Sequence, residues 1–152
     1  MSPRKEPPCF TVADQWHSAL ERTALAAFAA ELERDRPALE RHFAALCTDG
    51  ARAPGRLRRQ LLARMDASPA ALSGLRAGLQ ALDAGDLRTV WAGLDAPVAA
   101  WMARHDRLVP AGAADALMAL RPDARMRTSD GGHASWLEDP QALAGFVEEV
   151  MA

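Results

Sequence analysis

Only two stretches of this 152-residue chain read as β-strands. The first, Val98-Ala99-Ala100-Trp101-Met102-Ala103, follows Pro97 and is bounded by breakers. It could be a buried strand or a helix segment, and its length favours a strand. The second, Ala124 to Thr128, ends at Ser129-Asp130-Gly131-Gly132. Residues 111 to 121 lie between them and read as a helix, with Ala114, Leu117 and Leu120 on one face and Pro122 as the stop. Two strands joined by a helix run parallel, with a right-handed crossover. Parallel sheets are normally covered on both faces and hold more than two strands. The chain is therefore expected to be part of a larger α/β arrangement.

The preceding 75 residues or so are of a different kind. From about Val12 to Leu82, Ala and Leu dominate and apolar residues recur every three or four positions, the period of a helix. Leu20, Leu25, Phe28 and Leu32 fit one or two helices, and Pro37 suits the first turn of the next, with Leu39, Phe43 and Leu46 after it. Asp49-Gly50 is a stop. Leu57, Leu61, Leu62 and Met65 mark a third segment. Ser68-Pro69 is an N-cap followed by a first-turn proline, opening a face of Leu72, Leu75, Leu79 and Leu82. Near the C-terminus Asp139-Pro140 opens a last helix with Leu143, Phe146, Val147 and Val150 on one side. The expected organisation is an irregular segment 1–10, a helical block 11–86 and a βαβα unit 87–152.

Composition excludes several classes. A formal net charge of -2 gives no general affinity for nucleic acid. No apolar run approaches the roughly 18 residues of a membrane span. Two cysteines, Cys9 and Cys47, make neither a disulfide framework nor a four-thiolate zinc site, and read as reduced thiols in a cytoplasmic protein. His17, His42 and His105 lack metal-ligand spacing, so no metal or organic cofactor is expected.

Asp106 and His133 stand in the loops just after the two candidate strands, where open parallel sheets build their sites. There an acid and a histidine are neighbours, and such a pair is half of a nucleophilic triad. The carboxylate fixes the imidazole tautomer, and the imidazole takes the nucleophile's proton. Gly131-Gly132 is expected to let the backbone turn sharply and aim His133. The plainer reading is that Asp106 forms a turn and His133 lies on the surface.

Asp106-Arg107-Leu108-Val109-Pro110, Gly131-Gly132-His133-Ala134 and Glu138-Asp139-Pro140 together resemble the C-terminal third of the α/β-hydrolase fold, whose triad runs Ser, Asp, His along the chain. Pro8-Cys9-Phe10, Asp14-Gln15-Trp16, Glu40-Arg41 with Phe43-Ala44-Ala45-Leu46, and Asp86-Leu87-Arg88 resemble the helical cap of the biotin-pathway esterases that cleave the methyl ester of pimeloyl-acyl carrier protein. The resemblance implies a partial α/β-hydrolase fold with Asp106 and His133 as catalytic residues. It implies that Phe43, Leu46 and Cys47 cover the acyl chain. It also implies that cap arginines, here Arg41, Arg52, Arg56 and Arg59, receive the acidic carrier protein; a solvated helix face in an Arg-rich protein is the alternative. The family's Gly-x-Ser-x-Gly nucleophile elbow does not occur in the sequence. The serine is therefore expected either from a separate N-terminal segment as partner or from upstream sequence cut off by a frame-shifted or misassigned start, and the chain alone is expected to be inactive. The rival reading is a non-catalytic hydrolase derivative, or a helical module that binds an acidic protein.

Overall fold

A computed structural model describes residues 10–13, 15–65 and 68–152. The irregular segment expected before residue 10, with Cys9, lies outside these. The helical block contains α1 (Arg22–Arg34), α2 (Arg36–Thr48), α3 (Pro54–Leu62), α4 (Pro69–Ala84) and α5 (Arg88–Ala92). It is followed by β1 (Ala99–Ala103), α6 (Ala113–Leu120), β2 (Arg125–Ser129), α7 (Ser135–Glu138) and α8 (Pro140–Met151).

Three helices begin with one device. Asp35, Ser68 and Asp139 each turn a side-chain oxygen back onto an N–H of the first helical turn: Ala38 at 2.9 Å, Ala71 at 3.2 Å and Ala142 at 2.9 Å. A proline sits in the first turn of each, where its missing N–H costs nothing. α4, though its leucines recur at helical spacing, contains no buried residue among those described.

The strands pair in parallel, with Trp101 opposite Arg127 and Ala103 opposite Ser129. Each begins one residue later than expected. Two further backbone bonds, Arg125 N–H to Val98 and Arg104 N–H to Ser129, extend the ladder at its ends. α8 covers one face: the Trp101 and Phe146 rings lie 5.9 Å apart, and the Arg127 guanidinium stands over Phe146 and pairs with Glu149 at 2.6 Å.

Residues 11–13 and 15–20, expected to be helical, are not. Thr11 bridges Leu20 in parallel, and Ala13 and Trp16 exchange backbone hydrogen bonds at 3.0 and 2.9 Å. Gln15 takes a left-handed φ of 59°, which a helix does not admit. Thr11 and Trp16 are buried by this fold-back. The short helices α5 and α7 were also not anticipated.

The principal core cluster is Cys47, Leu57, Leu108 and Ala134, with Phe28, Leu46 and Leu61 packed around it. It joins α2 and α3 to the loops after both strands. Among the described residues, no helix is long and apolar enough to cross a membrane, and no three or more His, Cys, Asp or Glu side chains group as metal ligands.

Candidate functional site

The loop after β1 turns on Asp106. One carboxylate oxygen, Oδ1, accepts the N–H groups of Leu108 at 2.8 Å and Val109 at 2.9 Å. The other, Oδ2, lies 2.8 Å from Nδ1 of His133 in the loop after β2. The structure thus realises both readings of Asp106: it is a turn former and the partner of the histidine. Its side chain is 8% exposed, while that of His133 is 37% exposed. Burial alone would raise the Asp106 carboxyl, but hydrogen bonds from His133, Val109 and Leu108 outweigh it and hold the group below the usual aspartate value. An ionised acid here favours the imidazole tautomer with its proton on Nδ1. That leaves Nε2 as the ring nitrogen able to accept a proton.

The Gly131-Gly132 pair works differently from the expectation. Neither glycine takes a positive φ; among the described glycines only Gly50 does. What they provide is space. A Cβ at Gly132 would collide with the Asp49 carbonyl oxygen, and one at Gly131 would lie 2.7 Å from Cβ of Ser135. The His133 loop therefore packs directly on the C-terminal end of α2. There the Ala134 N–H donates to the Cys47 carbonyl at 2.9 Å.

A cavity of about 540 Å³ opens between α1, α2 and α4. Phe28, Leu32, Phe43, Leu75, Leu79 and Leu108 are among its lining. Leu108 belongs to the turn that Asp106 holds, so the cavity reaches that turn, though neither Asp106 nor His133 lines it. Arg36 and Glu40 are its charged groups, paired with each other at 2.7 Å. Of the three residues expected to cover an acyl chain, Phe43 lines this cavity. Leu46 and Cys47 lie in and against the core cluster. Burial, helped by the Asp106 charge, pushes the Cys47 thiol up to about 12, so it is an inert packing group at neutral pH.

Arg41, Arg52, Arg56 and Arg59 are all exposed. Arg56 and Arg59 are three positions apart on α3 and share a face. Arg52 precedes them in the α2–α3 loop, and Arg41 stands on α2. None of the four forms a side-chain ion pair with the described residues, though Arg52 lies close enough to Asp130 to stabilise its carboxylate. Glu138 joins the site unforeseen. Its Oε1 accepts the Arg52 N–H at 2.7 Å, a partner that sequence spacing does not reveal.

Relatives bear out the resemblance. The sequence is 41% identical over 154 residues to a pimeloyl-[acyl-carrier protein] methyl ester esterase of Xanthomonas axonopodis pv. citri, covering 94% of this chain and 59% of that protein. It is 32% identical over 146 residues to the protein of the same name from Nitrosomonas europaea, covering 93% and 57%. The chain thus spans less than two thirds of the length of these relatives. No family model matches the sequence. Among solved structures, an esterase from Exiguobacterium antarcticum superposes with a TM-score of 0.79 at 18% identity, over 95% of this chain and 54% of that one. A bromoperoxidase from Bacillus anthracis gives 0.78 at 14% identity, with the same coverage. Both neighbours are α/β-hydrolases, and the chain has a partial α/β-hydrolase fold, mostly helical, with a two-stranded parallel sheet.

Proposed function

We propose that this chain supplies the acid–histidine pair and the helical cap of a serine carboxylesterase acting on the methyl ester of pimeloyl-acyl carrier protein. The observation that carries this reading is the 2.8 Å contact between Asp106 and His133 at the ends of two paired parallel strands, beside an apolar cavity. The names of the relatives supply the substrate. Residues 11–86 are the cap, and 87–152 belong to the hydrolase core. His133 acts first as general base. It takes the proton of a serine hydroxyl whose oxygen attacks the ester carbonyl, and returns that proton to the departing methanol. A water then attacks the acyl-enzyme, His133 takes its proton, and the proton goes back to the serine as the acid is released. Asp106 holds the ring and stabilises its cation. Phe43 and the cavity take the acyl chain, with Leu46 and Cys47 behind them, and Arg41, Arg52, Arg56 and Arg59 face the acidic carrier. No metal or organic cofactor enters this chemistry. We place the protein in the cytoplasm, where the Cys47 thiol stays reduced.

The sequence contains no Gly-x-Ser-x-Gly, so the serine is assigned to sequence outside these 152 residues. The test is co-expression of this chain with the elbow-bearing N-terminal part of a relative. Methyl-ester hydrolysis on pimeloyl-acyl carrier protein should appear only when both are present, and should fall by orders of magnitude in His133→Ala. Complexes that form and stay inactive would sink the esterase reading. A second reading, a non-catalytic module that binds an acidic protein, is favoured by the exposed, unpaired Arg56 and Arg59. It expects carrier binding by the chain alone with no gain of activity on complementation.

A further inference from the structure

The loop that carries His133 is fastened to the helical block at several points, all near the end of α2. Gly132 lies against the Asp49 carbonyl, and the Ala134 N–H bonds to the Cys47 carbonyl. Arg107, next to Asp106, pairs with Asp49 at 3.5 Å. Leu137 of α7 packs against the Cys47–Leu57 cluster, and Glu138, the last residue of α7, adds a side-chain hydrogen bond across the same seam. Its Oε1 accepts the Arg52 N–H at 2.7 Å, and its Oε2 lies 3.0 Å from where a Cβ at Gly131 would stand. That carboxylate is therefore wedged between the α2–α3 loop and the backbone two residues before His133. Two bonds hold the other side of the same loop to the residues just after β1: His105 N–H to the Gly131 carbonyl at 3.1 Å, and Arg104 to Asp130 at 2.8 Å.

We propose that Glu138 is the positioning residue of the acid–histidine pair, locking the His133 loop to the α2–α3 loop so that the basic surface beginning at Arg52 and the imidazole form one mechanical unit. This rests on the reading of Asp106 and His133 as the acid–base pair. A charge-assisted acceptor for a backbone N–H is a strong, directional restraint, and the glycines beside it leave no side chain to take over. An acidic partner seated on Arg52, Arg56 and Arg59 would thereby press on the segment that aims His133. The contact uses the backbone of Arg52, so the guanidinium remains available to the partner.

The test reads the imidazole itself, without turnover. In 15N-labelled full chain, two-dimensional 1H–15N imidazole spectra report which nitrogen of His133 carries the proton. The wild type should show one tautomer, with the proton on Nδ1. Glu138→Ala should lose that single pattern and add the Nε2–H form. Glu138→Asp, which keeps the charge but withdraws the oxygens by one methylene, should do the same and serves if the alanine variant does not fold. Glu138→Gln, whose amide oxygen still accepts the Arg52 N–H, should keep the wild-type pattern, as should Arg52→Ala, which retains that N–H. An unchanged His133 pattern in both the alanine and aspartate variants overturns the proposal. Because hydrolysis is not measured, this result stands or falls separately from the esterase reading.

Discussion

Asp106 divides its two oxygens between architecture and chemistry, and the division fixes what its loss should do. Removing the carboxylate frees the N–H groups of Leu108 and Val109 as well as the His133 ring. Leaving such part-buried donors unmet costs about 1–3 kcal/mol, so the unfolding free energy of Asp106→Ala in urea should be lower than that of wild type by about that margin at pH 7. The dependence on pH has a definite sign. The folded carboxyl ionises below its ordinary value, so its contribution is complete above the unfolded value, near pH 4. It is lost as pH falls through the lower folded value. Melting curves of wild type and Asp106→Ala should therefore converge on acidification; a gap that stays constant down to pH 2 would contradict the assignment. The pairing with His133 was legible because both residues follow strand candidates. The contribution of Gly131 and Gly132 was not, because a need for space and a need for positive φ look the same in sequence. Glu138 was hidden for a similar reason: its partner is 86 positions away.

Among the helices, α4 stands apart. It buries no residue among those described, Leu75, Leu79 and Leu82 line the cavity, and Gly74 and Gly78 face open space. Two exposed ion pairs reach it from α1: Arg76 with Glu33, two bonds at 2.5 Å, and Arg22 with Asp83 at 3.0 Å. Exposed pairs are weakened by salt. Amide exchange across 71–84 should therefore quicken between 0.05 and 1 M sodium chloride (roughly 14 Å to 3 Å of screening length), while α2 stays protected. Equal response in both helices would mean that the ion pairs do not hold α4. Local chemistry made some elements readable. Asp35, Ser68 and Asp139, each next to or near a proline, announce helix starts by a bond that closes within three residues. The Thr11–Leu20 bridge depends on a chain reversal at Gln15 and on burial of Trp16, neither of which a helical period reports. α5 and α7 span five and four residues, too few to show a period at all.

For the molecule as a whole, the core cluster lies directly beneath the site. Cys47 and Leu57 come from the helical block, and Leu108 and Ala134 from the two strand-end loops. Leu108→Ala should cost about 2–5 kcal/mol, the usual range for a buried leucine. It should lower strand protection and helical signal in one transition. Two separate transitions by amide exchange and circular dichroism would show that the halves do not share this core. The α/β class was readable from two strands and a helix between them and its hydrolase character from the motifs they resemble, and the solved structures, of which the chain covers 54%, agree in fold. The fastening of Arg52 to Glu138 also sets an order of events during synthesis. The backbone that receives the clamp leaves the ribosome 86 residues before the side chain that closes it. A growing chain can already carry α3 and its arginines well before the His133 loop can be fastened beside them. A chain arrested between β1 and β2 would thus present the arginine surface with no imidazole fastened beside it.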